Sequence, residues 1–400
     1  MRGILAIAGS AACIAALAVH QGGEAQSATA PKARYVMDVS TDGGMMGNPM
    51  AAMMGRGGSS TRHSLRLRLG STLAADGGAP VVDHFMPPAA NLGASVRLVS
   101  PERTTGDETP GEFRRPKGRL LIFWGCGAQA GPGQPVVIDF AKVAPGQFPP
   151  GLFSASVPNE RGPLPGNSRT YGDWPNAKDR KSGDRVGSIL GDHRIAGNYA
   201  PEIKFALTQD FMPALAARST PLPGGATTVS WGSIAGATGY YAWAMGGKSM
   251  GQDNADMVWW TSAGAREFGG GLSDWLSPAT VSRLIGQKIV MPPSQTSCAI
   301  PQQVKEASGG MLMSFLYAYG PEQNFAYPPR PADPRAPWHP DWTAKVRYRS
   351  MTMLMPGMSA MGGAMEGRSE QDSQPGQPNK KRCKPGLGAM LGGMLGGKTC

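Results

Sequence analysis

Histidine and cysteine, the side chains that most often hold metals or carry nucleophilic and acid–base work, are scarce here, with five of each in 400 residues. No two cysteines stand in a Cys-x-x-Cys pair and no two histidines in a His-x-x-x-His pair, so the common zinc patterns are excluded. Long apolar runs are missing too. Beyond the N-terminal segment nothing reaches 18 uninterrupted apolar residues, and no transmembrane segment is expected in the mature chain. The chain also lacks the aromatic and basic interleaving of an RNA-binding sheet. Its net charge of +11 gathers at Arg114–Arg119, Lys178–Arg185 and Lys380–Lys384. In an exported protein such clusters meet anionic envelope surfaces first, and nucleic acid is not an expected partner.

What is abundant is glycine, proline and methionine. The 57 Gly and 36 Pro sit beside 40% apolar residues, a mixture that suits β modules with long loops and at least one unfolded segment. Arg2, the small apolar stretch from Ile4 to Val19 and the small residues Gly23 and Ala25 have the form of an export signal over residues 1–25. Cys13 does not make it a lipoprotein signal, because Ser10 stands where an aliphatic residue is needed. A periplasmic or secreted location by cleavage of that segment is therefore the expectation. Cys126, Cys298, Cys383 and Cys400 then remain, an even number for an oxidising compartment. Three pairings are open, the simplest being Cys126 with Cys298 and Cys383 with Cys400.

Alternation of apolar and polar residues predicts strands at 33–40, 61–69, 95–99, 119–124, 135–140, 202–208, 288–291, 310–319 and 343–353. In the second of these Leu65, Leu67 and Leu69 face a core and Arg66 and Arg68 point outward. Residues 42–60, dominated by Gly and Met, read as a flexible hairpin tip. Ser277 as N-cap with Pro278 at the first position predicts a helix to Gly286, and a shorter one runs from Pro301 to Ser308. The fold class is thus mainly β: one or two antiparallel β-sandwich domains with short helices and a disordered Met/Gly-rich tail at 356–400. The expected divisions are a first sandwich at 32–143, a loop-rich linker at 144–198 and a second sandwich at 199–355. A short echo, Lys32-Ala-Arg-Tyr35 against Lys345-Val-Arg-Tyr348, suggests that the two are related.

Residues 226–263 carry the densest pattern. Thr227 to Trp231, Thr238 to Met245 and Asp256 to Ser262 read as consecutive strands of one antiparallel sheet, with Trp259 and Trp260 on opposite faces. The Val-Ser-Trp strand, the turn holding Ala237-Thr-Gly and the strand opened by Tyr240 resemble strands B and C of a fibronectin type III module. The resemblance covers about 40 residues and implies β-sandwich packing, not chemistry.

Three chemical motifs match by spelling and fail by context. Gly247-Lys-Ser-Met-Gly251 would need a helix after Ser249 to form a nucleophile elbow, and another strand follows. Gly125 to Ala130 has the dinucleotide spacing, but Gly131-Pro132-Gly133 forbids the helix that would hold a pyrophosphate. Gly392 to Thr399 spells a phosphate loop, yet has neither the preceding strand nor the following helix. Asp83-His84 and Asp192-His193 read as polar turn residues.

Methionine remains. Thirteen of the 23 lie in Gly-rich segments, away from the spacing of core residues. Thioethers are soft ligands suited to Cu(I). The candidate ligands are Met45, Met46, Met50, Met53 and Met54 with Met351, Met353, Met355, Met358 and Met361. The leading expectation is a non-catalytic envelope or extracellular protein that binds or assembles with another macromolecule. A periplasmic Cu(I)-binding protein comes second and a secreted hydrolase third.

Overall fold

The computed structural model describes residues 30–47, 61–101, 118–143, 154, 156–157, 160, 162–179, 186–248, 256–333 and 335–356. The first half supplies β1 (Ala33–Gly44), β2 (Arg62–Ser71), β3 (Val82–Phe85), β4 (Val96–Leu98), β5 (Arg119–Trp124), β6 (Val136–Asp139), β7 (Thr170–Trp174) and β8 (Gly191–Gly197). The second supplies β9 (Ile203–Leu207), β10 (Ala217–Pro221), β11 (Thr227–Trp231), β12 (Gly239–Gly247), β13 (Met257–Thr261), β14 (Ser297–Ile300), β15 (Leu312–Tyr327) and β16 (Trp342–Leu354). Two α-helices, α1 (Pro278–Gly286) and α2 (Gln302–Ser308), and four short 3-10 helices complete the described elements. The chain is mainly β, as its alternation predicts.

Nine strands form one sheet in the order β6-β5-β13-β12-β15-β16-β1-β2-β7. It is mixed: β1 runs parallel to β16 and β5 parallel to β13, while its other neighbours are antiparallel. A three-stranded sheet, β10-β11-β14, and a four-stranded sheet, β4-β3-β8-β9, complete the set. Alternation sorts the large sheet into two faces. On one, Tyr35, Met37, Val39, Leu65, Leu67, Leu69, Ala242, Trp260 and Val346 share a core with Val229 and Trp231 of the smaller three-stranded sheet and Val82, Ile195 and Phe205 of the four-stranded one. This is a sandwich-like stack in which one long sheet serves two short ones. On the opposite face Tyr241, Tyr317, Tyr319 and Met351 pack against Leu272, Leu276 and the α1 residues Val281 and Leu284.

The pairing revises several expectations. The 199–355 strands β13, β12, β15 and β16 form a block between β5 and β1 of the 32–143 segment in a single sheet, so the stretch at 144–198 does not separate two sheets. That stretch itself contributes β7 and β8. Both were hidden by glycines that look like turn signals. A Cβ at Gly172 would meet the Tyr199 hydroxyl at 2.6 Å and one at Gly197 would meet the Val81 carbonyl at 2.0 Å, so close approach of chain segments, not a turn, requires glycine there. The two halves of the echo do lie on adjacent strands, but Tyr35 is opposite Ala344 and not Tyr348. β11 pairs with β10 and β14 in the three-stranded sheet instead of with β12, while β12 and β13 pair as expected. Residues 288–291 form no strand; only Met291 bridges, to Tyr240.

Local signals hold where they are chemical. Ser277 caps α1 by accepting from the Thr280 amide at 3.3 Å, and Pro278 follows it in the first turn. The Glu160 carboxylate accepts from the Ser277 amide at 2.9 Å, placing negative charge at the positive end of the helix. Cys126 and Cys298 are joined by a disulfide that ties the turn after β5 to β14. Cys383 and Cys400 lie outside the described residues. Trp260 is buried and Trp259 half-buried, on opposite faces of β13 as alternation requires.

Candidate functional site

The two methionine-rich stretches leave the same end of the same sheet. β1 and β16 are parallel neighbours with Gly44 opposite Met353, and just beyond β1 the Met45 amide donates to the Met353 carbonyl at 3.2 Å. Met46 packs against the apolar cluster that holds Tyr317 and Met351, on the face that carries α1. Met351 is buried, whereas Met45, Met46, Met353 and Met355 are half-buried. Met50, Met53, Met54, Met358 and Met361 lie outside the described residues.

Strand pairing adds methionines that no local pattern suggests. β15 enters the sheet at this end with Met313, just after Met311, β12 leaves it with Met245, and β13 begins with Met257. Thirteen methionines are described, and nine of them gather here. Cross-strand partners on the α1-bearing face form two rows. In one, Met353 is opposite Phe315 and Phe315 opposite Trp243; in the next, Met313 is opposite Met245 and Met245 opposite Trp259. Trp243 stacks on Phe315 with ring centroids 4.6 Å apart, and Trp259 lies against Phe268 at 5.6 Å. All six side chains of these rows are half-buried and Met311 is 53% exposed. At the rim Arg119 grips Asp256 through two contacts, 2.5 and 3.1 Å, and holds that carboxyl below its usual pKa. The result is an adaptable, polarisable apolar surface with a charged rim. Met245, Met257 and Met313 each stand alone in their strands, which is why sequence reading found the loop clusters and missed the face.

Two buried polar clusters lie deeper. Asp38 on β1 receives Arg68 of β2 at 2.5 Å and Arg347 of β16 at 2.7 Å, with all three buried. Arg68 thus points away from the leucine core as expected, but into a second covered layer instead of solvent. Arg347 also donates to the Trp275 carbonyl at 2.9 Å, and the neighbouring Arg349 lies 3.5 Å over the Trp275 ring.

The second cluster is a chain of rings. His84 and His193, expected in turns, stand on β3 and β8 and bond to each other at 2.9 Å. His193 Nε2 is 2.8 Å from the Ile189 carbonyl, and the Tyr35 hydroxyl is 2.7 Å from His84 Nδ1. A carbonyl can only accept, so His193 Nε2 carries a proton and its Nδ1 accepts from His84 Nε2. His84 Nδ1 therefore accepts from Tyr35. Burial, helped by His193, holds His84 well below its ordinary pKa, and burial lowers His193 too. Both rings are neutral, and with every ring nitrogen engaged the chain orders the interior. Asp83 takes no part, pairing outward with Arg97 at 2.9 Å.

Ser249 and the 392–399 stretch lie outside the described residues. Gly125 to Ala130 leads by a turn to β6, with Cys126 in the disulfide. Searches against family models, curated proteins and solved structures find no match to this chain.

Proposed function

We propose that this is an exported, non-catalytic β-sandwich protein that binds another macromolecule through the methionine and aromatic face. The observation that carries the reading is the concentration of half-buried methionine beside Trp243, Phe315 and Trp259 at one end of the large sheet. Recognition surfaces combine an apolar centre rich in aromatic residues and Met with a charged rim, because water is expelled from the centre and partner choice is fixed at the edge. Export is supported by the residue 1–25 signal pattern and by the Cys126–Cys298 disulfide, which persists in an oxidising compartment. The net charge of +11 favours an anionic envelope surface as the setting. The fibronectin type III-like reading of 226–263 draws support from the passage of the chain from β11 in one sheet to β12 in another.

A photoreactive residue in place of Met313 tests the reading in the exporting cell. It should give one discrete adduct, which disappears when Met245 and Met353 are also changed to Gln while circular dichroism stays unchanged. A ladder of unrelated adducts, or one that survives both Gln substitutions, contradicts it.

A further inference from the structure

We infer that Cys126, Cys298 and Met291 form a Cu(I) site that is closed while the two cysteines are bonded and opens when a dithiol reduces them. The Met291 sulfur lies 3.7 Å from Cys126 Sγ, and Cys298 Sγ is bonded to that same atom. A zinc–thiolate bond is about 2.3 Å long, and on that scale three sulfurs around one ion stand about 4 Å apart. The Cys126–Met291 pair already has this separation, and the cysteine pair gains it by side-chain rotation once its bond is broken. The backbones need not move. Gly125 and Gly127, on either side of Cys126, donate to the Thr261 and Ala299 carbonyls at 2.9 and 3.0 Å. Met291 exchanges two backbone hydrogen bonds with Tyr240, 2.8 and 2.9 Å, and Cys298 is held in β14 opposite Val229.

Opening is thiol–disulfide exchange. One thiolate of the reductant attacks Cys126 Sγ, which is half-buried, and the buried Cys298 leaves as a thiolate. The reductant's second thiolate then attacks its own partner sulfur in the mixed disulfide, forms the reductant's disulfide and releases Cys126 as a thiolate. Two electrons pass to the protein, the reductant's two thiol protons pass to water, and Cu(I) binds without changing its oxidation state. Two thiolates and a thioether are soft donors of the kind that select Cu(I), whereas Ca(II) and Mg(II) take oxygen ligands and structural Zn(II) takes four donors. The Gln295 side-chain amide, 3.8 Å from Cys126 Sγ, is placed to donate to the thiolate. Both thiols must lose their protons, so affinity should climb about 100-fold per pH unit below the thiol pKa of about 8.5. The site lies beside Tyr240 near the start of β12, away from the Met245 end of that strand, and it does not depend on the docking face.

The test uses the full-length protein labelled at its methionine methyl carbons, oxidised or reduced anaerobically with dithiothreitol and desalted. Each form is titrated with Ag(I), a redox-inert soft monocation, and then loaded with Cu(I) against bicinchoninate. In the reduced protein the Met291 methyl resonance should shift and saturate, while the enclosed Met37 methyl holds its position and reports an intact core. In the oxidised protein Met291 should not shift. Cys383→Ser with Cys400→Ser should keep the Met291 response, Cys126→Ser should lose it, and Met291→Leu should weaken the retention of Cu(I) against the chelator. Retention by the reduced Cys383→Ser, Cys400→Ser chain should strengthen from pH 6 to pH 7. An unmoved Met291 methyl in the reduced protein, an equal shift in the oxidised protein, or a Met37 resonance lost on reduction overturns the inference. Because the resonances are read on wild type, poor folding of a variant does not blur the outcome. An unmoved Met291 with retention of the Met313 adduct would overturn this site alone.

Discussion

Methionine occupies two different regions of this protein. In the core between the large and small sheets, Met37 is fully enclosed among Leu, Val and Tyr and acts as ordinary apolar filler. At the end of the same sheet Met245 faces Met313 across β12 and β15 and Met353 stands in the next row on β16, all half open to solvent with aromatic residues as cross-strand partners. Since the side chain is the same, the difference lies in what covers it. A core closed on both sides has no surface left to offer, whereas a face left partly open keeps apolar area available for a partner.

Substitutions break this contrast by graded amounts, and the largest effect falls deep in the closed region. Asp38 is the buried counter-charge for Arg68 and Arg347. Asp38→Ala leaves two buried cations without it and should cost about 3–5 kcal/mol in urea denaturation. A cost under about 1 kcal/mol would mean that water reaches the cluster. Close behind comes Trp260→Ala, expected to cost roughly 3–5 kcal/mol, while Trp259→Ala on the half-open side of the same strand should cost clearly less. Equal costs would erase the distinction between the two faces.

The histidine chain sharpens the comparison through pH. Both rings have folded-state pKa values below the unfolded value of about 6.5, so the unfolded chain binds more protons as pH falls through that value. Stability is then fully present above about pH 6.5 and declines below it, by up to about 1.4 kcal/mol per pH unit for each ring. Urea midpoints measured between neutral and mildly acidic pH should show this slope, and His84→Gln should make it shallower. A variant slope equal to that of wild type would contradict the assignment. The smallest effect is expected at the open face, where Met313→Leu should change stability by less than about 1.5 kcal/mol.

How much of this was legible in the sequence follows from what each feature depends on. β1, β2, β5, β12 and α1 rest on alternation or capping within a dozen residues, and Leu65, Leu67, Leu69, Ser277 and Pro278 state them openly. β7 and β8 were obscured because Gly172 and Gly197 are there for close approach to distant segments, a reason no local window contains. The parallel pairing of β1 with β16 joins residues 309 positions apart, such as Asp38 and Arg347. It was invisible for the same reason, and with it went the single sheet and the buried role of Arg68. The methionine loops could be found by composition. The face could not, since Met245, Met257 and Met313 are solitary in their strands and meet only once the register is known.

The most direct test of the face as a binding surface is methionine oxidation footprinting with dilute peroxide, read residue by residue in the purified protein and in the intact envelope of exporting cells. Thioethers oxidise according to their access to solvent, so the purified protein should give fast Met311, intermediate Met245, Met313 and Met353, and slow Met37. In the envelope the three face methionines should become several-fold slower, approaching Met37. Unchanged rates for Met245, Met313 and Met353 between the two settings would contradict the account.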